Sequence, residues 1–352
     1  MSYIQKPVAH HPALPRNALG LTRRDYEGSM STLCAGCGHD SITAAIIDAC
    51  FEMDLPAHRI AKVSGIGCSS KAPTYFLSRS HGFNSVHGRM PSVTTGANMA
   101  NRDLVYIGVS GDGDTASIGL GQFCHAVRRR LNMTYVVMNN GCYGLTKGQF
   151  SATNDKSSPS KKGEANPFEG IDLCQMAIQL GAGFVVRSFS GDKNQLIPLL
   201  KAAISYKGFA FVDVVSPCVT FNNHPTSTKS YDYVRAHNQA SDNKLDYIEP
   251  KEEITVDYAE GTTATITMHD GSRLILNKLD AGHDPRDPTA AMMAIRNSAA
   301  VGSIATGLLY VNEDQQDLHS ILETDSRPLN TLQTADLCPG SKALAAINAK
   351  LR

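Results

Sequence analysis

The chain has 352 residues and no net charge, with 33 Lys and Arg against 33 Asp and Glu, enough for one large domain or two ordinary ones. No apolar run approaches the roughly 20 residues of a membrane helix, and the N-terminal MSYIQKPVAHHPALPRNALG lacks the continuous apolar stretch of a secretory signal. The first 245 residues hold 24 basic and 17 acidic groups, a bias that suits small anionic ligands and is too weak to indicate nucleic acid.

Residues 1–24 read as an extended arm. SITAAIIDACFEM (41–53) has helical apolar spacing, with Ser41 as candidate N-cap. RIAKVSGIG (59–67) and FNSVHG (83–88) read as short strands running into glycine turns, and PSVTTGANMANR (91–102) as a helix with Pro91 in its first turn. LVYIGVSGDGD (104–114) is a buried strand ending in a turn, followed by a helix over 116–132 and a second buried strand, MTYVVMNN (133–140). A helix over 169–182, a strand over 183–190, a helix over 192–208 and a buried strand, FAFVDVVSPC (209–218), continue the alternation. Apolar strands alternating with helices predict an α/β fold, a mostly parallel sheet with helices on both faces. The polar stretch 151–167 reads as a loop or lid. From about residue 222 the rhythm stops, and TTATITMHDGSRLILNKLD (262–280) reads as a β-hairpin with a D-G turn. The expected organisation is an arm (1–24), a cofactor domain (25–225) and a C-terminal extension (226–352).

In an open parallel sheet, ligands bind beyond the carboxyl ends of the strands. GDGD (111–114) and NN (139–140) both fall there. Asp112 and Asn140 offer hard oxygens suited to Mg²⁺, which also takes phosphate oxygens. Gly111 and Gly113 let the backbone approach a diphosphate, and the following helix offers its unpaired N–H groups. A lone GDG is also an ordinary strand-to-helix turn. With the asparagines at the next strand end, the pair resembles the thiamine-diphosphate binding motif. That resemblance implies Mg²⁺ on Asp112, Asn140 and the backbone oxygen of Cys142, with Gly113, Asp114, Gly144 and Leu145 lining the cofactor.

The odd count of nine cysteines, with no signal peptide, places the chain in the reducing cytoplasm, where thiols bind metal or pack in the core. Cys34 and Cys37 form a C-x-x-C turn, Cys68 follows a strand and Cys218 follows the last buried strand. Four thiolates without His suit zinc or an iron–sulfur cluster, and a redox dithiol is a further reading of the C-x-x-C. Cys50, Cys124 and Cys174 lie in apolar helices as core residues.

Together CAGCGH, GIGCSS, HGR, GDGDTASIGLGQF, NNGCYGLTKGQ and SPC, in this order over residues 25–225, resemble the β subunits of the 2-oxoacid:ferredoxin oxidoreductases. The resemblance implies a thiamine-diphosphate-type fold and a [4Fe–4S] cluster on Cys34, Cys37, Cys68 and Cys218. It also implies cofactor contacts from Ile66, Gly67, Cys68 and Ser69. It places Lys71 at the 2-oxoacid carboxylate, Lys147 at CoA, and His87 as a donor or proton carrier. Thiamine enzymes draw an activating Glu from a second related domain. None follows residue 222, so the family's α (or γα) subunit is the expected partner, in an αβ or α₂β₂ assembly, with ferredoxin as electron acceptor. The tail most resembles β subunits of 2-oxoglutarate enzymes, which implies conversion of 2-oxoglutarate and CoA to succinyl-CoA and CO₂. Pyruvate or broad 2-oxoacid specificity, a non-redox thiamine enzyme, and a zinc-stabilised binding subunit are the alternatives.

Overall fold

The computed structural model describes residues 13–146, 148–158, 165–218, 252–268 and 273–351. Its centre is a nine-stranded sheet. In chain order the strands of this sheet are β1 (Ile60–Ser64), β2 (His81–Asn84), β3 (Val105–Gly111), β4 (Met133–Asn139), β7 (Phe184–Phe189), β8 (Phe209–Val215), β9 (Thr263–Thr267), β10 (Arg273–Lys278) and β11 (Ile304–Val311). Two short strands, β5 (Cys142–Tyr143) and β6 (Gln149–Phe150), form a separate antiparallel ladder. Spatial order across the sheet is β2-β1-β3-β4-β8-β7-β11-β10-β9. The first six pair parallel throughout. The predicted parallel sheet is therefore present, and its carboxyl ends share one edge.

Strand composition explains the layers. β4 and β8 are buried at every position, and alternate residues point into two different cores. Phe209 and Phe211 of β8 pack with Phe123 and Tyr135 on one face. Ala210, Val212 and Val214 face the other, under α1 (Gly38–Glu52) and α6 (Lys193–Ser205). The first face is covered by α4 (Leu120–Arg128) and α5 (Leu173–Gln179), with α7 (Pro288–Ala300) alongside. The first face also takes α3 (Met90–Ala100) and the second the short α2 (Ala72–Tyr75). Cys50 and Cys174 are fully buried in these cores, and Cys124 packs against one of them, as expected.

Four local expectations change. The first helix begins at Gly38, not Ser41, so Cys37 stands at its N-cap with no side-chain cap bond. The predicted strand 83–88 ends at Asn84, which puts His87 on the turn before α3. The helix after GDGD opens as a π-turn (Gly113–Ile118), closed by Gly119 N–H donating to Asp114 O at 2.8 Å, before α4 starts. π-turns of this kind favour functional sites. Lastly, the rhythm does not stop for good. β10 and β11 pair parallel with α7 between them, and β11 adds antiparallel to β7, extending the main sheet. The β9–β10 pairing is the predicted hairpin, although its D-G turn lies outside the described residues. Past β11 come α8 (Leu318–Ile321), α9 (Thr334–Leu337) and α10 (Gly340–Lys350). No helix among the described residues is long and apolar enough to cross a membrane.

Candidate functional site

β1, β3, β4 and β8 are neighbours in that order, so their exits line up as Cys68, Asp112, Asn140 and Cys218. β1 and β8 stand about 14 Å apart across three strand spacings. Their loops therefore fold inward over the ends of β3 and β4 to meet.

The candidate oxygen ligands converge first. Asp112 is buried, and its Oδ1 accepts from Asn140 N–H at 3.2 Å. Asn140 Oδ1 in turn accepts from Cys142 N–H at 3.2 Å. Gly141 turns the chain between them at φ 72°, a left-handed angle that favours glycine. Asp112 Oδ2 accepts from the hydroxyls of Ser151 and Thr153, the latter at 2.7 Å. Asn154 Nδ2 donates to Gly141 O at 3.0 Å. Ser151, Thr153 and Asn154 open the polar stretch expected to be a loop or lid; they form a loop, and their side chains are buried against the turn. Polarity alone could not reveal this, because a loop in solvent and a loop packed on a buried carboxylate need the same side chains.

Asp114 has a different job. Its Oδ1 accepts from Gly88 N–H at 2.7 Å, and its Oδ2 from Ser110 Oγ at 2.9 Å and Ile66 N–H at 3.3 Å. One carboxylate thus ties the turn carrying His87 and the loop carrying Cys68 to the GDGD turn. A Cβ at Gly65 would overlap its Oδ2. Ser69, buried, donates to Ile66 O at 3.2 Å, and a Cβ at Gly111 would lie 3.1 Å from Ser69 Oγ. Gly113 is filled from the other side: Tyr143 lays its ring where a Cβ would be, and its hydroxyl donates to Gly113 O at 2.8 Å. Tyr143 is a site residue that the motif reading passed over. At Gly67, φ 85°, an added Cβ would meet nothing within 4 Å, so the backbone there borders open space.

The thiols form a second group. Burial, then the neighbouring Cys218, push the Cys37 thiol well up. Burial pushes Cys68 to about 11, with Cys218 and Cys34 adding to the rise and the Lys71 ammonium opposing it. Cys142 is raised first by a hydrogen bond with Cys218 and then by burial. Its sulfur therefore joins the group, beyond the backbone role expected for it. No disulfide links any of the nine cysteines. His39 Nδ1 and Ser216 Oγ are hydrogen-bonded at 2.6 Å, fastening the start of α1 to the exit of β8. No three His, Cys, Asp or Glu among the described residues are grouped as a site for a single ion.

The two groups touch at Gly144. A Cβ there would lie 3.5 Å from Cys68 Sγ and 3.7 Å from Cys218 Sγ. Leu145 beside it is half exposed, and His87 and Arg89 are exposed at the same edge. Lys147 lies outside the described residues.

Hard oxygens beside a glycine-lined turn on one strand edge are the arrangement of a thiamine-diphosphate-binding domain. Residues 65–214 match the family model "Thiamine pyrophosphate enzyme, C-terminal TPP binding domain". A 2-oxoacid:ferredoxin oxidoreductase β subunit of Saccharolobus solfataricus is 38% identical over 225 residues, covering 62% of this chain and 72% of the relative. One from a Sulfolobus species is 39% identical, covering 54% and 63%. The 2-oxoglutarate oxidoreductase subunit KorB of Mycobacterium tuberculosis is 40% identical, covering 54% and 51%. The matches thus span about half to two thirds of the latter two relatives. Among solved structures, the 2-oxoglutarate:ferredoxin oxidoreductase of Magnetococcus marinus, with 2-oxoglutarate, coenzyme A and succinyl-CoA bound, superposes with a TM-score of 0.69. It has 30% identity, over 86% of this chain and 89% of that one. The chain belongs to the β-subunit family of the 2-oxoacid:ferredoxin oxidoreductases.

Proposed function

We propose that this chain is the β half of a CoA-dependent oxidative decarboxylase acting on 2-oxoglutarate. The overall conversion is 2-oxoglutarate, CoA and two oxidised ferredoxins to succinyl-CoA, CO₂, one proton and two reduced ferredoxins. The observation that carries the reading is the contact at Gly144, where the turn after Asn140 abuts the sulfurs of Cys68 and Cys218. A decarboxylation centre is useful to a one-electron acceptor only when the two are adjacent. Family membership and the ligands named for the Magnetococcus marinus structure support the substrate.

Bound thiamine diphosphate supplies carbanion stabilisation, and a [4Fe–4S] cluster supplies one-electron transfer. The donor sets present fit both. Asp112, Asn140 and the Cys142 carbonyl are hard oxygens for Mg²⁺. Cys34, Cys37, Cys68 and Cys218 are soft donors for iron, and thiols release their protons on binding a metal. Gly111, Gly113 and the N–H groups of the π-turn receive the diphosphate. Ile66, Gly67, Ser69, Gly144 and Leu145 enclose the rest of the cofactor, with Asp114 presenting its backbone. Lys71 pairs with the substrate carboxylate and Lys147 with a CoA phosphate. His87 donates a proton or hydrogen bond to the substrate oxygen. An α partner covers the exposed edge and brings the activating carboxylate, and ferredoxin docks near the cluster.

The test is an anaerobic visible spectrum with iron and sulfide analysis of the chain purified with its partner. The expected result is a brown complex holding about four iron and four sulfide per chain, bleached by 2-oxoglutarate plus CoA and far less by pyruvate. Preferential bleaching by pyruvate overturns the substrate. A colourless complex with stoichiometric zinc overturns the redox assignment.

A further inference from the structure

Neither of the two hydroxyls on Asp112 belongs to any motif read from the sequence. We infer that Ser151 and Thr153 are positioning residues that clamp one oxygen of Asp112 and direct the metal to the other. The inference rests on the magnesium assignment proposed above.

The geometry is specific. Both side chains are buried, and a buried hydroxyl must find a partner. Ser151 Oγ and Thr153 Oγ1 both donate to Asp112 Oδ2, and they stand 2.8 Å from each other. Thr153 N–H donates to Ser151 Oγ at 3.1 Å, so the pair is held as one unit. Two hydroxyl protons fill the two lone pairs of Oδ2. Oδ2 cannot then turn toward a cation, and the carboxylate binds through Oδ1 alone.

Thr153 has a second acceptor within reach, Asn139 Oδ1 at 3.1 Å. That amide cannot flip, because its Nδ2 donates to Asp213 Oδ1 at 3.0 Å and a carboxylate only accepts. Asp213 is fixed in turn by Arg187 Nε at 2.8 Å, and Arg187 also donates to Asp172 Oδ1 at 2.8 Å. The single Thr153 proton goes to the charged oxygen, the shorter and stronger bond. The clamp is thereby anchored to a buried ionic cluster that spans β7, β8 and the N-cap of α5.

The test is Mn²⁺ binding in place of Mg²⁺, read from the electron paramagnetic resonance of free Mn²⁺, with thiamine diphosphate present and the full chain bound to its partner. The variants are Thr153→Val, Thr153→Ser and Ser151→Ala. Loss of an outer partner of a metal ligand weakens metal affinity about 10- to 100-fold, and that is the loss expected for Thr153→Val and Ser151→Ala. Thr153→Ser keeps the hydroxyl and is expected to bind like the wild type. Iron content stays at the wild-type level in all three, and turnover lost in Thr153→Val returns as Mg²⁺ is raised. Wild-type Mn²⁺ affinity in Thr153→Val overturns the inference, as does equal loss in Thr153→Ser and Thr153→Val. A wild-type complex that binds no Mn²⁺ with thiamine diphosphate overturns the magnesium assignment itself, and this inference with it.

Discussion

The two halves of the sheet are built differently. β4, β7 and β8 are buried along their whole length, whereas β9 and β10 mix buried and exposed positions and β11 mixes buried and half-buried ones. Apart from Cys34 and Cys37, on the turn that opens α1, the candidate site residues among those described lie in the first half or on the turns that leave it. Direction explains this better than burial does. Parallel strands all end at the same edge, so each adds a loop to one shared surface. β11 runs antiparallel to β7 and β10 runs with β11, so their following segments leave at the opposite edge. The second half lengthens and covers the sheet without adding to the site. A cavity of about 440 Å³ lies along the seam, lined by Asn139, Thr153, Arg187 and Asp213 on one side and Ile295 and Ser303 on the other.

The strongest challenge to this division is Asp112→Ala. Removing the carboxylate proposed to bind the metal directly is expected to cut turnover more than ~100-fold, beyond the loss from an outer partner, and to end metal-dependent thiamine-diphosphate binding by calorimetry. Cofactor affinity that survives would place the chemistry elsewhere. Next is Arg187→Ala, which leaves Asp213 and Asp172 without their buried partner. It is expected to cost about 3–5 kcal/mol in urea unfolding, and a loss under about 1 kcal/mol would show that the ionic cluster is not an anchor.

Leu276→Ala in β10 sharpens the comparison. Leu276 is fully buried, so a cost of about 2–4 kcal/mol is expected, with thiamine-diphosphate affinity unchanged. A weakened cofactor would join the second half to the site.

The smallest effect concerns Lys62, in the first half but away from the chemistry. Its Nζ donates to Phe76 O at 2.5 Å and Leu77 O at 2.9 Å, yet burial lowers its pKa to about 8. Between pH 8 and the ordinary lysine value near 10.5, the unfolded chain holds more of this proton than the folded one. Stability from this residue therefore rises with pH across that window and is flat below it. The difference in unfolding free energy between wild type and Lys62→Met, followed over that range, should move in the wild type's favour. A difference that stays constant would show that the ammonium is not penalised by burial.

Much of this was legible in the residue order. Continuous apolar runs identified β3, β4, β7 and β8. Asp112, Asn140 and the four cysteines stood out because residues of ligand chemistry recurred at strand ends and at the start of the first helix. Ser151 and Thr153 did not stand out, since a hydroxyl carries no mark of the carboxylate it will meet 39 or 41 residues earlier. Tyr143 was hidden because its value depends on the missing side chain at Gly113. β11, with its parallel pairing to β10, was missed because half-buried strands carry short, mixed patterns that a polar segment also shows.

By itself the sequence determined the fold class, the family and the candidate metal donors, because these follow from local periodicity and from side-chain chemistry at fixed spacing. Only the tertiary structure decided that Asp114 is a tie between three loops, that Cys142 turns its sulfur toward Cys218, and that β11 joins the main sheet in reverse. Each of these depends on which distant segment arrives beside the residue. That choice is made by burying both sheet faces and pairing every buried polar group at once, a condition on the whole chain that no local pattern encodes.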